Sequence, residues 1–540
     1  MRINILKLFA TCILLLLASY AFAKRRPNIV LIMADDLGGR DLPTYGNKFN
    51  EAPNIEKLAN QGMVFQHAYA APVSSPTRAR IQSGQYPARV GIFDFIPGHW
   101  RPYEEVVVPH HEVQHLPEDI ITIGDAMQAE GFKTGYFGKW HLGEHEATHL
   151  PNERGYNKSY MYNAGGYYNP KFVPEYKSSK HKRLSNILTE MGVDFIKESK
   201  EEPFFLFLSH YDVHVQLDAD KELIDKYLNK KKYLDYSCNA VYAAMIEHVD
   251  NSVGVIMKTI DEMGLTDNTI FIFYSDNGGV DNRYDNIPLL GGESTNVYSD
   301  EHPLRYIATS NAPLRGGKGT LCEGGIRVPL IVRWPGVIAA SSNTEAIVSS
   351  VDFYPTFLDL AKGKNPEKQV LDGFSMVPIW KDNIFDTERE IFTHYPVYHH
   401  DQPMSAVRKG DWKLVENLVT NSFELYNLKY DIHEMTDLKF SYPVKLEAMK
   451  EVLKKWQKDT KAKMPLPNPN FDPIKRYEWG SENGATLLEV SVPPNCTANI
   501  FFPNEKGRDI KEATGFAKQI DKKDGYTLFE VSSGTYQFTN

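Results

Sequence analysis

Three short, almost uniformly apolar runs, each closed by polar residues, constrain this chain more than any other feature. Ile29 to Met33 leads into Ala34-Asp35-Asp36-Leu37-Gly38. Phe204 to Leu208 leads into Ser209-His210-Tyr211-Asp212-Val213-His214, and Thr269 to Tyr274 into Ser275-Asp276-Asn277-Gly278-Gly279. Runs of this length suit strands buried on both faces, as in a parallel sheet covered by helices. Open α/β sheets take their ligands at the carboxyl ends of the strands, which is where these acids fall. Adjacent carboxylates repel unless a cation or hydrogen-bond donors hold them, and oxygen ligands of this kind suit Ca²⁺ or Mg²⁺. Taken alone, Asp35-Asp36 also reads as a solvated turn. The repetition argues for more: Asp35-Asp36 and Asp276-Asn277 can meet across a sheet and share one cation.

The chain has 540 residues, which suits one large domain and a smaller one. With 42% hydrophobic and 24% charged residues, disorder is not expected. A net charge of −9, from 60 basic and 69 acidic residues, argues against nucleic acid as a general partner. An anionic substrate must then be drawn by a local basic pocket. The N-terminus reads as a secretory signal: Arg2 and Lys7 are basic, Cys12 to Leu17 form an apolar core, and Ala21-Phe22-Ala23 is an A-x-A cleavage site. The apolar run is short of a full membrane span, so cleavage after Ala23 and a periplasmic or secreted address are expected, without a transmembrane anchor. Cys238, Cys322 and Cys496 remain, an odd and sparse set with neither disulfide-framework nor zinc spacing.

Four further stretches carry chemistry. In Ser74-Ser75-Pro76-Thr77-Arg78, Ser75 is read as N-cap and Pro76 as the first residue of a helix. A hydroxyl and a guanidinium beside a helix N-terminus suit phosphate or sulfate, although a plain capped helix has the same pattern. After a strand near Thr134 to Phe137, Lys139 and His141 share one side if the backbone is extended, as an oxyanion clamp and proton relay would require. His210 and His214 follow an apolar strand and read either as acid–base groups or as satisfied structural histidines. In Asn311 to Gly325 the glycines let backbone approach an anion and Lys318 supplies a point charge. The turn-rich, aromatic segment Asp94 to Arg101, with His99 and Arg101, is a substrate-loop candidate or a structural loop.

Ser74-Ser75-Pro76-Thr77-Arg78 with Ser83-Gly84 resembles the type I sulfatase signature, Cys/Ser-x-Pro-x-Arg followed by Thr-Gly or Ser-Gly. Gly138-Lys139-Trp140-His141-Leu142-Gly143 and the Asn311 to Gly325 run are similar to two further sulfatase segments, and the resemblance extends from about Pro27 to Pro473. It implies an α/β sandwich of the alkaline phosphatase type with a mostly parallel central sheet, and sulfuric ester hydrolase activity. It implies that residue 74 is oxidised to formylglycine, here from serine as in the bacterial serine-type subgroup, by a maturase expected to be of the radical SAM type. It further implies one Ca²⁺ held by Asp35, Asp36, Asp276 and Asn277 with residue 74. Arg78, Lys139 and Lys318 would neutralise the sulfate, His214 with Lys318 would protonate the leaving alcohol, and His141 would take the proton from the second hydroxyl of the hydrated formylglycine. His99, Arg101 and His210 remain as weaker substrate-binding candidates.

The expected organisation is a signal peptide over 1–23, a catalytic domain over 24–386, a small antiparallel α+β subdomain over 387–464, a linker over 465–483 and a β-rich extension over 484–540. Pro151 to Phe172 reads as a long insertion or pocket rim. Tyr395, His399 and His400 are placed either over the pocket mouth or on a far-side loop. Leu488 to Asn495 and Val531 to Phe538 resemble part of the terminal β-sandwich of α-L-rhamnosidases. Export, aromatic insertions and that tail point to a sulfated polysaccharide, ulvan-type rhamnose sulfate and galactose or N-acetylgalactosamine sulfates fitting alike. The rivals are a phosphodiesterase or phosphonate hydrolase of the same superfamily, and a silent carbohydrate-binding homologue with unmodified Ser74.

Overall fold

The computed structural model describes residues 26–99, 101–109, 113–215, 217–233, 237–281, 308–473, 475, 487–492, 498–503, 510–512, 517–523, 526–531 and 534–539. The expected signal peptide, Trp100 and Cys496 lie outside the described residues. The chain divides into two units, Met1–Gly98 with His110–Lys463, and His99–Pro109 with Met464–Asn540.

The first unit is built on a nine-stranded sheet in the order β10-β2-β9-β8-β1-β7-β4-β5-β6. Its strands are β1 (Asn28–Ala34), β2 (Met63–Tyr69), β4 (Lys133–Lys139), β5 (Lys158–Ala164), β6 (Lys171–Val173), β7 (Phe204–Ser209), β8 (Thr269–Ser275), β9 (Leu330–Arg333) and β10 (Ser342–Ser349), while β3 (Val106–Val107) belongs to the second unit. β1 runs parallel to β7 and β8, and β4 parallel to β7 and β5. β9 and β6 run against their neighbours. Alternation in β1 shows why the runs had to be apolar throughout. Val30 and Ile32 join the core beneath the helices Leu184–Ser199 and Ala240–Glu262, whereas Ile29, Leu31 and Met33 join the core beneath Phe353–Ala361. Both faces are covered, and truncating one of these residues to alanine costs about 2–5 kcal/mol.

Pro151 to Phe172 is not an insertion: it supplies β5 and the start of β6, the edge of the central sheet. Its Asn, Gly and Tyr content masked the strand because β5, second from the edge, is buried on alternate residues only. The C-terminal part of the first unit is a four-stranded antiparallel sheet of β11 (Glu390–Tyr395), β12 (Met404–Lys409), β13 (Trp412–Asn417) and β14 (Phe423–Asn427). The helix Pro443–Asp459 lays Met449 and Leu453 on Val407, Leu414 and Leu425.

In the second unit, Leu466–Pro467 pairs antiparallel with β3, so the expected linker begins as a strand. Asn468 Nδ2 donates to the carbonyls of Pro102 and Glu104 at 2.8 and 2.7 Å. The β-rich extension forms two three-stranded antiparallel sheets around Phe502, Phe529, Tyr536 and Phe538. Among the described residues no helix is long and apolar enough to cross a membrane.

Candidate active site

Ala34 and Ser275 are register partners at the ends of β1 and β8. The acids that follow each strand therefore emerge side by side. Asp36 turns back with φ of +59°, a conformation that aspartate tolerates, and its N–H donates to Asp276 Oδ1 at 3.1 Å. Asn277 Nδ2 donates to Asp36 Oδ1 at 2.8 Å, and all four side chains are fully buried.

Into this cluster points the helix Ser74–Ser83, every residue of which is buried. It begins two residues earlier than expected, at Ser74 rather than Pro76. Val73, extended and without a side-chain cap bond, is the N-cap, while Ser75 Oγ accepts the Ile96 N–H at 3.2 Å. Thr77 Oγ1 fixes the entering chain by accepting the Ala71 N–H at 2.8 Å. Ser74 Oγ lies 3.1 Å from Asp35 Oδ1, 3.3 Å from Asn277 Oδ1 and 3.2 Å from Lys139 Nζ. The hydroxyl has one proton and so donates to only one of the two oxygens at a time.

Three cations face the three carboxylates. Lys139, at the end of β4, reaches Asp35 Oδ2 at 2.5 Å. Arg78 donates through Nη2 to Asp276 Oδ2 at 2.8 Å, and through Nη1 to the Lys139 carbonyl and to Ser209 Oγ, both at 2.6 Å. Lys318 Nζ lies 2.8 Å from Asp36 Oδ2 and 3.2 Å from His214 Nε2. Burial pushes the Asp35 carboxyl up, but the neighbouring cations, Lys139 first and Arg78 with it, hold it below the usual range. Burial and the neighbouring Asp35 raise Asp276. Burial lowers Lys139; it opposes the charge on Lys318 as well, but there Asp36, Asp35 and Asp276 together outweigh it and raise the ammonium's pKa.

The two remaining expected catalytic groups are histidines with fixed tautomers. His141 has φ of +59°, so the backbone is not extended there, and its Nε2 lies 2.7 Å from the Ile96 carbonyl oxygen. A carbonyl only accepts, so Nε2 carries the proton and Nδ1, buried and unpartnered, carries the lone pair. Burial, then Lys139, holds this imidazole well below its ordinary pKa. His214 places Nδ1 on the Val215 carbonyl, leaving Nε2 to accept from Lys318.

His210 is a correction. It is fully buried, its Nε2 lies 3.0 Å from Ser252 Oγ on the helix Ala240–Glu262, and burial lowers its pKa to about 3. Strand alternation decides this: β7 sends Ser209 Oγ toward Arg78 and the next side chain to the opposite face. His99 and Arg101 fall in the second unit, where Arg101 pairs with Glu104 at 3.5 Å. His399 lies against the loop beside Lys318, since a Cβ added at Gly319 would stand 2.3 Å from its Nδ1. Tyr395, almost fully buried, donates to Asp94 Oδ1 at 2.9 Å. Ser209, which orients Arg78, and the carbonyls of Ile96 and Val215, which set the tautomers, carried no signal of their own in the sequence.

The site meets the requirements of a hard cation. Carboxylate oxygens of Asp35 and Asp36 and a ring nitrogen of His214 lie within 4.8 Å of one another, and Asp276 and the Asn277 carboxamide adjoin them. Buried oxygen donors in this number suit Ca²⁺ or Mg²⁺ better than a soft metal.

A family model described as Sulfatase matches residues 27–364. The chain belongs to the sulfatase family. A second model, N-sulphoglucosamine sulphohydrolase, C-terminal, matches residues 317–462 of this sulfatase. It is 32% identical over 497 residues to a sulfatase of Formosa agariphila, covering 77% of this chain and 85% of the relative. It is 29% identical to the N-acetylgalactosamine-6-sulfatase of Rattus norvegicus, covering 76% and 75%. The solved structure of Ps i-CgsB in complex with k-i-k-neocarrahexaose shares 27% identity with a TM-score of 0.66, covering 84% of this chain and 97% of that one. The fold and the sulfuric ester hydrolase activity expected from the sequence agree with these likenesses.

Proposed function

We propose that this sulfatase is an exported enzyme that removes sulfate from a sulfated carbohydrate, using formylglycine made from Ser74 and one bound Ca²⁺. The observation that carries the reading is the position of Ser74 Oγ, within 3.3 Å of Asp35, Asn277 and Lys139 at the start of a buried helix. The named relatives, one an N-acetylgalactosamine-6-sulfatase and one bound to a neocarrahexaose, support a carbohydrate ester.

Asp35, Asp36, Asp276 and Asn277 would hold the cation, which supplies positive charge against the sulfate oxygens. Formylglycine would supply, as its hydrate, one hydroxyl for attack at sulfur and a second whose ionisation expels sulfate. The chain's own residues do the rest. Three carboxylates are balanced by Arg78, Lys139 and Lys318, so a divalent cation leaves the pocket net positive and selective for an anion. Arg78 is held rigid by three partners, so its charge is in place before substrate arrives. His141, neutral with Nδ1 free, is the base. The hydrogen bond from Lys318 to His214 Nε2 makes the pair the source of the proton for the departing alcohol.

Mass spectrometry of the peptide ending at Arg78, from protein made with a radical SAM maturase, tests the reading. Loss of two hydrogens at Ser74, with sulfate release from a sulfated galactose, N-acetylgalactosamine or rhamnose oligosaccharide, is expected. Unmodified serine in protein that is nevertheless active would sink it.

A further inference from the structure

Lys318 rides on a strap that the C-terminal sheet grips. The strap, Arg315 to Ile326, includes Gly316, Gly317, Gly319, Gly324 and Gly325 and has few side chains of its own to lock it. Toward the catalytic cluster, its backbone is pinned by the Lys318 N–H on the Gly279 carbonyl at 3.0 Å and the Gly319 N–H on the Pro72 carbonyl at 2.8 Å. The Gly324 N–H closes the strap on itself, donating to the Arg315 carbonyl at 2.8 Å.

The other anchor is ionic and fully buried. Glu323 accepts from Tyr69 Oη at 2.7 Å and from Lys413 Nζ at 3.0 Å. Lys413, on β13, also lies 2.8 Å from Glu434 Oε1, and Glu434 Oε2 accepts the backbone N–H of Glu323 at 2.7 Å. Arg315 donates to the Glu434 carbonyl at 3.1 Å and to the Tyr426 hydroxyl at 3.0 Å. One lysine of the C-terminal sheet thus sits between a carboxylate on the strap and a carboxylate of its own subdomain. Lys413 and Arg327 hold the buried Glu323 carboxyl at about 2, and its two carboxylate neighbours raise Lys413 despite burial. A buried ion set of this kind adds little net stability, and its attested use is to fix one arrangement. Removing Lys413 takes away the cation that bridges Glu323 and Glu434, leaving Arg327 on the Glu323 side only, so the strap loses its tie to the C-terminal sheet.

We propose that Lys413 and Glu434 are positioning residues for the leaving-group proton: they hold Glu323 and, through the closed strap, fix Lys318 Nζ against His214. This rests on the reading of Lys318 and His214 as the acid pair. It makes the C-terminal sheet part of the catalytic apparatus although it contributes none of the expected catalytic side chains.

The full-length matured enzyme with Lys413→Met is compared with wild type on two esters. One is 4-nitrophenyl sulfate, whose phenolate departs without a proton; the other is galactose 6-sulfate, whose alkoxide needs one. Each rate is normalised to the folded fraction from thermal melts. Misplacing Lys318 by an ångström should lower kcat on the sugar ester about 10²-fold and on the aryl ester by much less. Lys413→Arg should restore most of the sugar-ester rate, and Glu434→Gln, which keeps the side-chain shape, should show the same selectivity if Lys413→Met folds poorly. An equal fall on both esters, or no fall, overturns the inference. A wild type inert toward both esters counts against the proposed hydrolysis instead, and inorganic sulfate binding to the unmodified protein then decides. Lys413→Met should weaken it about tenfold, as expected for a displaced charged donor, and unchanged affinity overturns the inference.

Discussion

Arg78 Nη1 donates to the backbone carbonyl of Lys139 at 2.6 Å, so the helix that carries Ser74 is tied to the strand end that carries the neighbouring ammonium. The same nitrogen holds Ser209 Oγ, and Nη2 holds Asp276. Lysine has the charge but not the fork. Arg78→Lys should fold and lose about 10²-fold or more in kcat/KM, whereas Arg78→Ala should destabilise the protein by about 3–5 kcal/mol because buried carboxylates lose their partner. Steady-state kinetics beside urea melts separate the two outcomes.

Calcium should stabilise as well as activate. With Asp35, Asp36, Asp276 and Asn277 gathered only in the folded chain, a concentration near 100 times Kd should add about 2.7 kcal/mol. Stripping the ion with a chelator should lower the melting temperature and the activity together. Asp36→Asn should abolish the calcium-dependent part of the melt, and a melt unaffected by calcium in wild type would count against the assignment.

His210 sets an acid-side prediction. Its pKa is depressed from 6.5 to about 3, so the stability it carries is complete above 6.5 and is lost as pH falls toward 3. The slope is about 1.4 kcal/mol per pH unit for one such proton. Replacing His210 by Asn, which can still meet Ser252, should flatten the fall in stability below pH 6.5, read from denaturant titrations at a series of pH values. An unchanged slope would show that His210 does not titrate in the unfolding equilibrium.

Gly138 precedes Lys139 with φ of +113°, and a Cβ there would stand 1.8 Å from the Ser209 carbonyl oxygen. Gly138→Ala should cost well over 1 kcal/mol and should lower activity beyond the folded fraction, because the strand end that aims Lys139 must move. Melts and kcat on the same preparation check both.

The strand-end acids were legible because both determinants are local: an apolar run sets the strand, and the next residues must emerge at its carboxyl end. Ser74, Arg78, Lys139 and Lys318 stand in motifs whose pattern survives in one sequence. What stayed hidden depends on partners far along the chain. The tautomer of His141 is set by a carbonyl at Ile96, and the placement of Lys318 by Lys413 and Glu434, which nothing near Lys318 announces. His210 misled because its neighbours His214 and Asp212 share a polar run, whereas strand alternation, not composition, assigns each side chain its face. The helix start shifted from Pro76 to Ser74, and a tertiary donor, the Ile96 N–H, took the Ser75 hydroxyl expected to cap it.

The burial of Ser74 imposes an order of events. The side chain is 1% exposed, and its contacts come from residues as far along the chain as Asn277. An enzyme that oxidises Ser74 needs that side chain in its own active site, with the flanking residues peeled away from a helix that is buried throughout. On the proposed conversion of Ser74, oxidation would therefore have to win a race against folding. The active fraction of a preparation would then measure that race, and a substitution that merely hastens folding, far from the pocket, should lower specific activity without changing a single catalytic contact.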